Sequence, residues 1–303
     1  MKTGFIAMVG LPNAGKSTLV NSLIGEKVGI VSKKPQTTRR RVIGVYNDNE
    51  SQICFIDAPG RVRSTTGLNQ FLEKELEGVI RESDACLAVL NLDAHNSTDL
   101  LEIVELTKKA NRPWAIFINK TDMDIAMSGG MREMKLRHDL IPLIKDLDIP
   151  IFAGSVINNP EKIERILLPI LKGLLPDTQA VLYEKDIYTT QTSRDLVAEI
   201  VREKCFEYLH QEIPYGIAVQ VMKYDETGST HKIYVDIVVA KESFVSIVLG
   251  LGGSMIKRIG TSARIECEKI MGQKIFLETH VKVKKDWTKN PVMMKELGYV
   301  TAD

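Results

Sequence analysis

The stretch GLPNAGKST, residues 10–18, follows the apolar run FIAMV at residues 5–9 and decides the fold of the first half of the chain. Its two glycines stand five positions apart and are followed by a lysine and a serine, which is the pattern G-x-x-x-x-G-K-[ST]. Between a strand and a helix, such glycines let the backbone curl so that consecutive N–H groups point at a phosphate. The stretch therefore predicts a P-loop in an α/β domain. A glycine-rich turn that fits the pattern by accident is the plain alternative.

The residues of this loop have different expected roles. Lys16 would place a positive charge beside the β- and γ-phosphates, and the Ser17 hydroxyl would coordinate Mg²⁺. The other contacts would come from backbone N–H groups at the start of the helix. The predicted phosphate-contacting residues are Asn13, Ala14, Gly15, Lys16, Ser17 and Thr18.

The first half of the chain alternates short apolar runs with helix-like stretches from Phe5 to about Leu175. Six such runs in a βαβ rhythm predict a mostly parallel six-stranded sheet with helices on both faces. The segment VIGVYNDNESQICFID, residues 42–57, breaks the rhythm because it places two strands on either side of a turn-forming run. We therefore expect one antiparallel strand in this sheet.

Two further motifs at predicted strand ends indicate which nucleotide is bound. In DAPG, residues 57–60, Asp57 can hold the metal directly or through water, and the Gly60 N–H can contact a γ-phosphate. In NKTD, residues 119–122, the Asp122 carboxylate can accept hydrogen bonds from the N1–H and amino group of guanine, a donor pair that adenine lacks. Each motif alone is more often a simple turn, but in this order and position they favour GTP.

The second half of the chain has a different element order. After the polar stretch TQAVLYEKDIYTTQT, residues 178–192, come a helix, two strands, a helix pair around GLGGS and a last strand, which is an α+β pattern. Between residues 241 and 289 there are ten Lys or Arg against five Asp or Glu, although the net charge of the whole chain is only +1. A G-x-x-G loop on such a basic face brings the backbone close to nucleic-acid phosphates. The alternative is a tight turn between helices with a solvated charged rim.

This half of the chain is therefore expected to bind RNA. The glycines would admit the phosphate backbone, and the cations would attract it. The predicted RNA-binding residues are Gly250, Gly253, Ser254, Lys257, Arg258, Lys282, Lys284 and Lys285.

Composition excludes several other classes of protein. With 303 residues, 44% hydrophobic and 26% charged, the chain is long enough for two folded domains, and no apolar run reaches the ~18 residues of a membrane span. The N-terminus lacks the cleavage site of a secretory signal. The four cysteines are widely spaced, which indicates buried thiols in a reducing cytosol and no zinc or disulfide framework.

The motifs GLPNAGKST, PQTTRRR, DAPG and NKTD resemble those of the translation-factor-related GTPases. The stretch VLGLGGSMIKRIGTSARIECEKIMGQKIFLETHVKVKKDW, residues 248–287, narrows the resemblance to the Era family of bacterial ribosome-assembly GTPases. The resemblance covers essentially the whole chain. It implies a GTPase domain at residues 1–175, a linker at 176–192, a type II KH domain at 193–289 and a tail at 290–303.

The resemblance also implies roles for individual residues. Thr38 would be the switch I threonine that closes on Mg²⁺ and the γ-phosphate, with its neighbour Thr37 as the open alternative. The surrounding SKKPQTTRRR, residues 32–41, is polar and unpatterned, and we expect a solvated basic loop there when no nucleotide is bound. The implied metal ligands are Ser17, Thr38 and Asp57, the catalytic residues are Lys16, Thr38 and Gly60, and the guanine contacts are Asn119, Lys120, Asp122, Ser155 and Val156.

The chain departs from the family pattern at three positions. Val156 stands where the guanine loop of the family has alanine, and Gly252 replaces a lysine of the G-x-x-G loop. Arg61 follows DAPG, and because arginine cannot act as a general base we expect slow intrinsic hydrolysis. A potassium ion near Asn13 would be a second cofactor beside Mg²⁺.

Together these expectations describe a GTP-hydrolysing switch that binds 16S ribosomal RNA near its 3′ end and acts in maturation of the small (30S) ribosomal subunit. We expect a cytoplasmic monomer, with a peripheral association with the inner membrane left open. Two alternatives remain at this point: an RNA-binding adaptor that holds GTP or GDP without turnover, and a GTPase that acts at an anionic membrane surface.

Overall fold

The computed structural model describes residues 1–32, 34–62, 66–94, 96–145, 147–178 and 180–299. Six strands form the larger sheet, in the order β2-β3-β1-β4-β5-β6, and β2 is antiparallel to β3 while the other neighbours are parallel. The predicted hairpin and the mostly parallel sheet are thus confirmed. The strands are β1 (Lys2–Gly10), β2 (Val42–Asn47), β3 (Ser51–Asp57), β4 (Ala85–Asn91), β5 (Trp114–Asn119) and β6 (Ile151–Ala153).

Helices cover both faces of this sheet, as the near-continuous apolar strands require. Helices α1 and α6 pack on one face, and α2, α3 and α5 pack on the other. Helix α4 begins within NKTD, where sequence patterning indicated only a strand end. The helices are α1 (Lys16–Ile24), α2 (Gly67–Glu82), α3 (Ser97–Lys109), α4 (Thr121–Ser128), α5 (Met131–Ile144) and α6 (Pro160–Leu174).

The second half folds as a three-stranded sheet, in the order β7-β8-β9, packed against helices. Strands β7 and β8 are antiparallel, whereas β8 and β9 are parallel. A capping box formed by Thr192 and Asp195 begins its first helix. The elements are α7 (Ser193–Tyr208), β7 (Ile217–Asp225), β8 (Thr230–Val239), α8 (Ser243–Leu249), α9 (Ser254–Met271), β9 (Lys274–Val283) and α10 (Pro291–Glu296).

The segment between the two halves runs along the edge of the larger sheet. The Val45 N–H donates to the Tyr188 carbonyl at 2.9 Å, and the Gln52 side chain accepts from the Leu182 N–H at 2.7 Å. After β9, the Trp287 and Tyr299 rings stack and join an apolar cluster that includes residues of α2 and α10. The two halves are therefore connected by packed side chains as well as by the chain itself.

One stretch of the described residues, Ser243–Met271, is by length and composition apolar enough to span a membrane, contrary to the expectation that no such stretch is present. The structure divides it at residues 250–253 into α8 and α9, because Gly250, Gly252 and Gly253 all have positive φ. All four cysteines are buried and unpaired, as predicted.

Candidate functional site

The carboxyl ends of the central strands of the larger sheet open into a cleft with a cavity of about 610 Å³. This volume is in the range of small-molecule and cofactor sites. Ala14 and Asp57 are buried and do not line the cavity themselves, although Ala14 lies between two lining residues in the chain and Asp57 is hydrogen-bonded to Ser17, which lines it. The other predicted nucleotide-binding residues all line it: Asn13, Gly15, Lys16, Ser17, Thr18, Gly60, Asn119, Lys120, Asp122, Ser155 and Val156, together with Thr38 of the predicted switch I.

The P-loop is held in shape by Gly15 and Asn119. Gly15 has φ +92°, and a Cβ there would lie 2.3 Å from Asn119 Nδ2, so only glycine fits. Asn119 Nδ2 donates to the Ala14 carbonyl at 2.9 Å, while its Oδ1 accepts from the Val156 N–H at 3.3 Å. One side chain therefore connects the phosphate end of the cleft to its base-binding end.

Lys16 is almost fully buried at the floor of the cleft. Its ammonium donates to the carbonyls of Leu11 at 3.1 Å and Gly10 at 3.3 Å. Burial lowers its pKa to about 8, and the charge of Asp57 partly opposes this shift. A phosphate in the cleft would stabilise the charged form further, because it would add a second anion beside the buried ammonium.

Ser17, Thr38 and Asp57 form a cluster of oxygen atoms that we call the metal corner. Ser17 Oγ donates to Asp57 Oδ2 at 2.5 Å, and Thr38 Oγ1 lies 3.0 Å from Ser17 Oγ and 3.3 Å from Asp57 Oδ2. Thr37 Oγ1 instead donates to the Lys34 carbonyl at 2.8 Å. The arrangement favours Thr38 over its neighbour as the switch I ligand.

The metal corner fits Mg²⁺ by its chemistry. Burial raises the pKa of Asp57, while Lys16, Ser17 and Thr38 oppose the rise. Among the described residues, the buried Asp57 Oδ1 has no hydrogen-bond partner, so this oxygen needs a ligand to compensate its burial. Mg²⁺ prefers one or two carboxylates with further hard oxygen ligands and substrate phosphates.

The opposite end of the cleft carries the residues expected to bind guanine. Asp122 lies in the first turn of α4 and faces the cavity beside the buried pair Ser155 and Val156. Lys120 has φ +64°, and its ammonium pairs with Asp93 Oδ2 at 2.7 Å. Sequence reasoning missed Asp93, although its position just after a buried strand, in the run NLD, was a usable signal.

DAPG lies directly against the P-loop. A Cβ at Gly60 would lie 2.4 Å from the Pro12 nitrogen, so the approach of these two loops requires glycine. Arg61 turns away from the nucleotide cavity and pairs with Glu102 of α3, with the closest ionic contact at 3.4 Å. The Arg61 side chain is therefore not placed to orient an attacking water in the cavity.

The G-x-x-G loop projects from the KH-like half. Gly250 has φ +72° and ψ 174°, a region open essentially to glycine, and a Cβ there would lie 2.7 Å from the Met255 nitrogen. At Gly252 and Gly253 a Cβ would meet nothing within 4 Å, and the side chain of Leu251, which directly precedes them, is exposed. The loop therefore presents open backbone to solvent.

The predicted RNA-binding cations fall into two groups. Ser254, Lys257 and Arg258 lie on the first turns of α9, next to the loop, and the Arg258 guanidinium lies 4.2 Å from the centroid of the Tyr208 ring. Lys282, Lys284 and Lys285 lie at the end of β9, where the Lys284 N–H donates to the Val239 carbonyl. Lys284 also pairs with Glu296 of α10 at 2.6 Å. The second group thus lies beside the segment that precedes α8, whereas the loop follows α8, a helix of seven residues and about 10 Å.

Comparison with known proteins gives matches over both halves. A family model described as a 50S ribosome-binding GTPase matches residues 5–120, and a KH-domain model matches residues 212–288. GTPase Era of Geobacter metallireducens is 36% identical over 301 residues, which cover 98% of each chain. GTPase Era of Clostridium tetani is also 36% identical over 301 residues, which cover 98% of this chain and 99% of that one.

Two solved structures are similar over nearly the whole chain. One is a variant of Aquifex aeolicus Era bound to GDP and AlF4⁻, and the other is Era in complex with MgGDPNP and nucleotides 1506–1542 of 16S ribosomal RNA. Each has a TM-score of 0.90, 32% sequence identity and 99% coverage of both chains. The similarity therefore includes the arrangement of the two halves.

Proposed function

Because this chain belongs to the Era family of GTPases, we propose that it couples GTP hydrolysis in its cleft to binding of the 3′ region of 16S ribosomal RNA by its KH domain. It is a GTPase with a C-terminal KH domain. The observation that carries the proposal is the metal corner, since it assembles the P-loop, switch I and DAPG residues within 3.3 Å of one another. We assign the GTPase domain to residues 1–175, the linker to 176–192, the KH domain to 193–289 and the tail to 290–303.

The chemistry in the cleft follows from the placement of its residues. Ser17, Thr38 and Asp57 would hold Mg²⁺, which neutralises charge on the β- and γ-phosphates. Lys16 and the N–H groups of residues 13–18 would bind the phosphates and stabilise charge on the transferred group. Asp122 would select guanine, with Asn119, Lys120, Ser155 and Val156 shaping its pocket. Because arginine cannot act as a general base and Arg61 is also turned towards Glu102, intrinsic turnover should be slow.

The RNA partner is proposed from the chemistry of the KH half and from the relatives. The open G-x-x-G loop and the adjacent cations at Lys257 and Arg258 fit a phosphate backbone. The description of one family model names binding to the large (50S) ribosomal subunit, whereas the RNA in the solved Era complex is 16S ribosomal RNA, which belongs to the small subunit. We give more weight to the complex, because that match covers 99% of the chain and the family model covers only residues 5–120.

A binding experiment with matched RNAs tests this function. The full chain, with a non-hydrolysable GTP analogue, should bind an RNA of the 16S 3′ end more tightly than a shuffled RNA of equal length. Gly253→Asp should weaken RNA binding by placing a negative charge in open space at the loop, while GTP affinity stays unchanged. Equal affinity for both RNAs would rule out the proposed partner, and lack of phosphate release from GTP would favour an adaptor without turnover.

Finer aspects are proposed on the same basis. Asn13 lines the cleft with φ +63°, where its side chain could help to hold K⁺. Faster phosphate release in potassium than in sodium chloride would support this. We further propose that the protein acts as a cytoplasmic monomer on the 30S subunit. A peripheral association with the inner membrane would use the same basic KH face, and flotation with anionic liposomes in the presence of competing RNA tests it.

A further inference from the structure

Arg39 belongs to switch I, but its side chain is buried in the KH domain. Its side chain is 1% exposed, and its guanidinium donates to the backbone carbonyls of Ile217 at 2.5 Å, Tyr215 at 2.9 Å and Pro214 at 3.2 Å. These three carbonyls belong to the turn that leads into β7. The planar fork of an arginine suits such a set of converging acceptors, whereas a lysine ammonium would not match it.

Two aromatic rings complete this pocket. The Arg39 guanidinium lies 5.6 Å from the centroid of the Phe206 ring and 5.9 Å from that of Trp287. We call the three carbonyls and two rings the Arg39 seat. Burial lowers the pKa of Arg39, Tyr299 opposes this shift, and the neighbouring Arg202 adds to it; within the described residues Arg39 Nε has no hydrogen-bond partner. The seat therefore holds the guanidinium charge away from water, at a desolvation cost that the three carbonyls and Tyr299 partly offset.

The residues on either side of Arg39 are also fastened to the second half of the chain. The Lys34 ammonium donates to the carbonyls of Phe206 and Leu209 at the C-terminus of α7, where a cation is favoured. The Arg40 guanidinium donates to the Leu297 carbonyl at 2.6 Å. Three side chains of switch I thus contact the second half of the chain.

Arg39 is the anchor closest to the metal corner. Thr38 precedes it directly, and consecutive Cα atoms are fixed about 3.8 Å apart by the peptide bond. In the structure, Thr38 Oγ1 lies 3.0 Å from Ser17 Oγ while the next residue occupies the seat. Because the two residues share one peptide bond, a displacement of Arg39 changes the position from which the Thr38 hydroxyl reaches the metal corner, and a misplacement of an ångström can cost about a hundredfold in rate.

We propose that Arg39 is a positioning residue of the GTPase site: seated in the KH domain, it holds Thr38 against the metal corner, so that a completed KH domain is part of the GTPase machinery. The proposal rests on the role assigned above to Thr38. It predicts a specific pattern, because the P-loop and NKTD bind GDP without Thr38, whereas the γ-phosphate and metal of GTP need it.

The test compares Arg39→Met, Arg39→Lys and Thr38→Ala with the unsubstituted full chain. For each we would measure Mg²⁺-dependent affinity for GDP, affinity for a non-hydrolysable GTP analogue, and kcat and KM for GTP. Arg194→Met is the matched control, because Arg194 is an exposed arginine of the KH domain that donates to the Val221 carbonyl within the same domain.

Arg39→Met should lower the preference for the GTP analogue over GDP about tenfold and kcat about tenfold or more, with GDP affinity unchanged. Thr38→Ala should show the same pattern, Arg39→Lys a smaller change in the same direction, and Arg194→Met none. If Arg39→Met does not fold, the comparison rests on Arg39→Lys.

Each contrary result has a distinct meaning. Loss of preference in Thr38→Ala with full preference and full kcat in both Arg39 variants would overturn the positioning role and leave the Thr38 assignment standing. Reduced thermal stability of the Arg39 variants with unchanged preference and kcat would show a merely structural contact and overturn the proposal as well. An unaltered preference in Thr38→Ala would remove Thr38 from the site, and the proposal would fall with it.

Discussion

Adding a lysine at Gly252 should strengthen RNA binding. Gly252 lies at the exposed tip of the G-x-x-G loop, and a Cβ there would meet nothing within 4 Å. Its φ of +58° and ψ of 25° fall in the left-handed helical region, so Gly252→Lys should cost about 1–2 kcal/mol of folding free energy. A domain with typical stability of ~5–15 kcal/mol tolerates this cost. The new ammonium would face the phosphates that the loop is proposed to approach.

The gain in affinity can be worked from counterion release. Each phosphate contact on a single strand changes the slope of log K against log salt by about 0.7. At ~0.1 M salt, one decade below 1 M, this slope raises the association constant by roughly 0.7 of a decade, which is about fivefold tighter binding. The assay is a titration of labelled 16S 3′-end RNA at several salt concentrations, which gives the affinity and the slope together.

Gly272→Lys is the control for charge and backbone strain. Gly272 ends α9 with φ +66°, and a Cβ there also meets nothing within 4 Å. It lies 18 helical residues from the loop, about 27 Å away. Gly252→Lys should steepen the slope and tighten binding, whereas Gly272→Lys should change neither. An equal gain in both variants, or an unchanged slope in Gly252→Lys, would refute the placement of RNA at this loop.

Three further predictions concern the base pocket, the loop backbone and the contact between domains. Asp122→Asn should weaken GTP binding and shift preference towards xanthosine nucleotides in competition titrations; unchanged GTP affinity would contradict guanine selection by Asp122. Gly250→Ala should lower the free energy of unfolding by ~3 kcal/mol, because its Cβ would collide with backbone in a glycine-only conformation, whereas Gly253→Ala should cost only ~1 kcal/mol; equal losses in denaturant titrations would contradict this. Glu266 of α9 accepts hydrogen bonds from Lys204 and from Lys27 of the other domain. Burial raises the pKa of Glu266, but these two lysines lower it overall. The carboxylate therefore stabilises the fold above its unfolded pKa, and this contribution is lost as the pH falls through the lower pKa of the folded state. The stability difference between Glu266→Gln and the unsubstituted chain should therefore shrink as the pH falls from the ordinary carboxyl range through the lowered pKa of Glu266 in urea unfolding, and a difference independent of pH would refute the linkage.

The parts of the site that could be predicted from sequence are those made by local chemistry. The P-loop, DAPG and NKTD each lie at the end of a strand. In each motif a glycine or a polar side chain is required for one kind of contact with the nucleotide or metal, so a short sequence pattern is enough to predict the site. The mostly parallel sheet around them follows from the same alternation of strands and helices, whereas the order of its strands does not. The start of α4 escaped prediction because Lys120 takes φ +64° and turns a strand end directly into a helix.

Switch I could not be resolved from sequence because its conformation depends on residues distant along the chain. SKKPQTTRRR carries no periodicity, and nothing within it distinguishes Thr37 from Thr38. The expectation of a solvated basic loop is wrong for Arg39, which is buried against backbone carbonyls more than 170 positions away. A run of charged residues is expected to be exposed unless the hydrogen-bond acceptors that would allow its burial are known. Here those acceptors are backbone carbonyls, which every residue has and which no sequence pattern distinguishes.

The order of synthesis on the ribosome gives the Arg39 seat a further meaning. The strands and helices of the GTPase domain are complete at Leu174, whereas the seat needs Phe206, the turn at 214–217 and Trp287. Because N-terminal domains fold first during translation, the nascent GTPase domain would bind nucleotide before Arg39 has a place to dock. Thr38 would then remain unfixed until residue 287 has left the exit tunnel. On this proposal, a half-made chain would hydrolyse GTP more slowly than the finished protein while it is still attached to the ribosome that makes it.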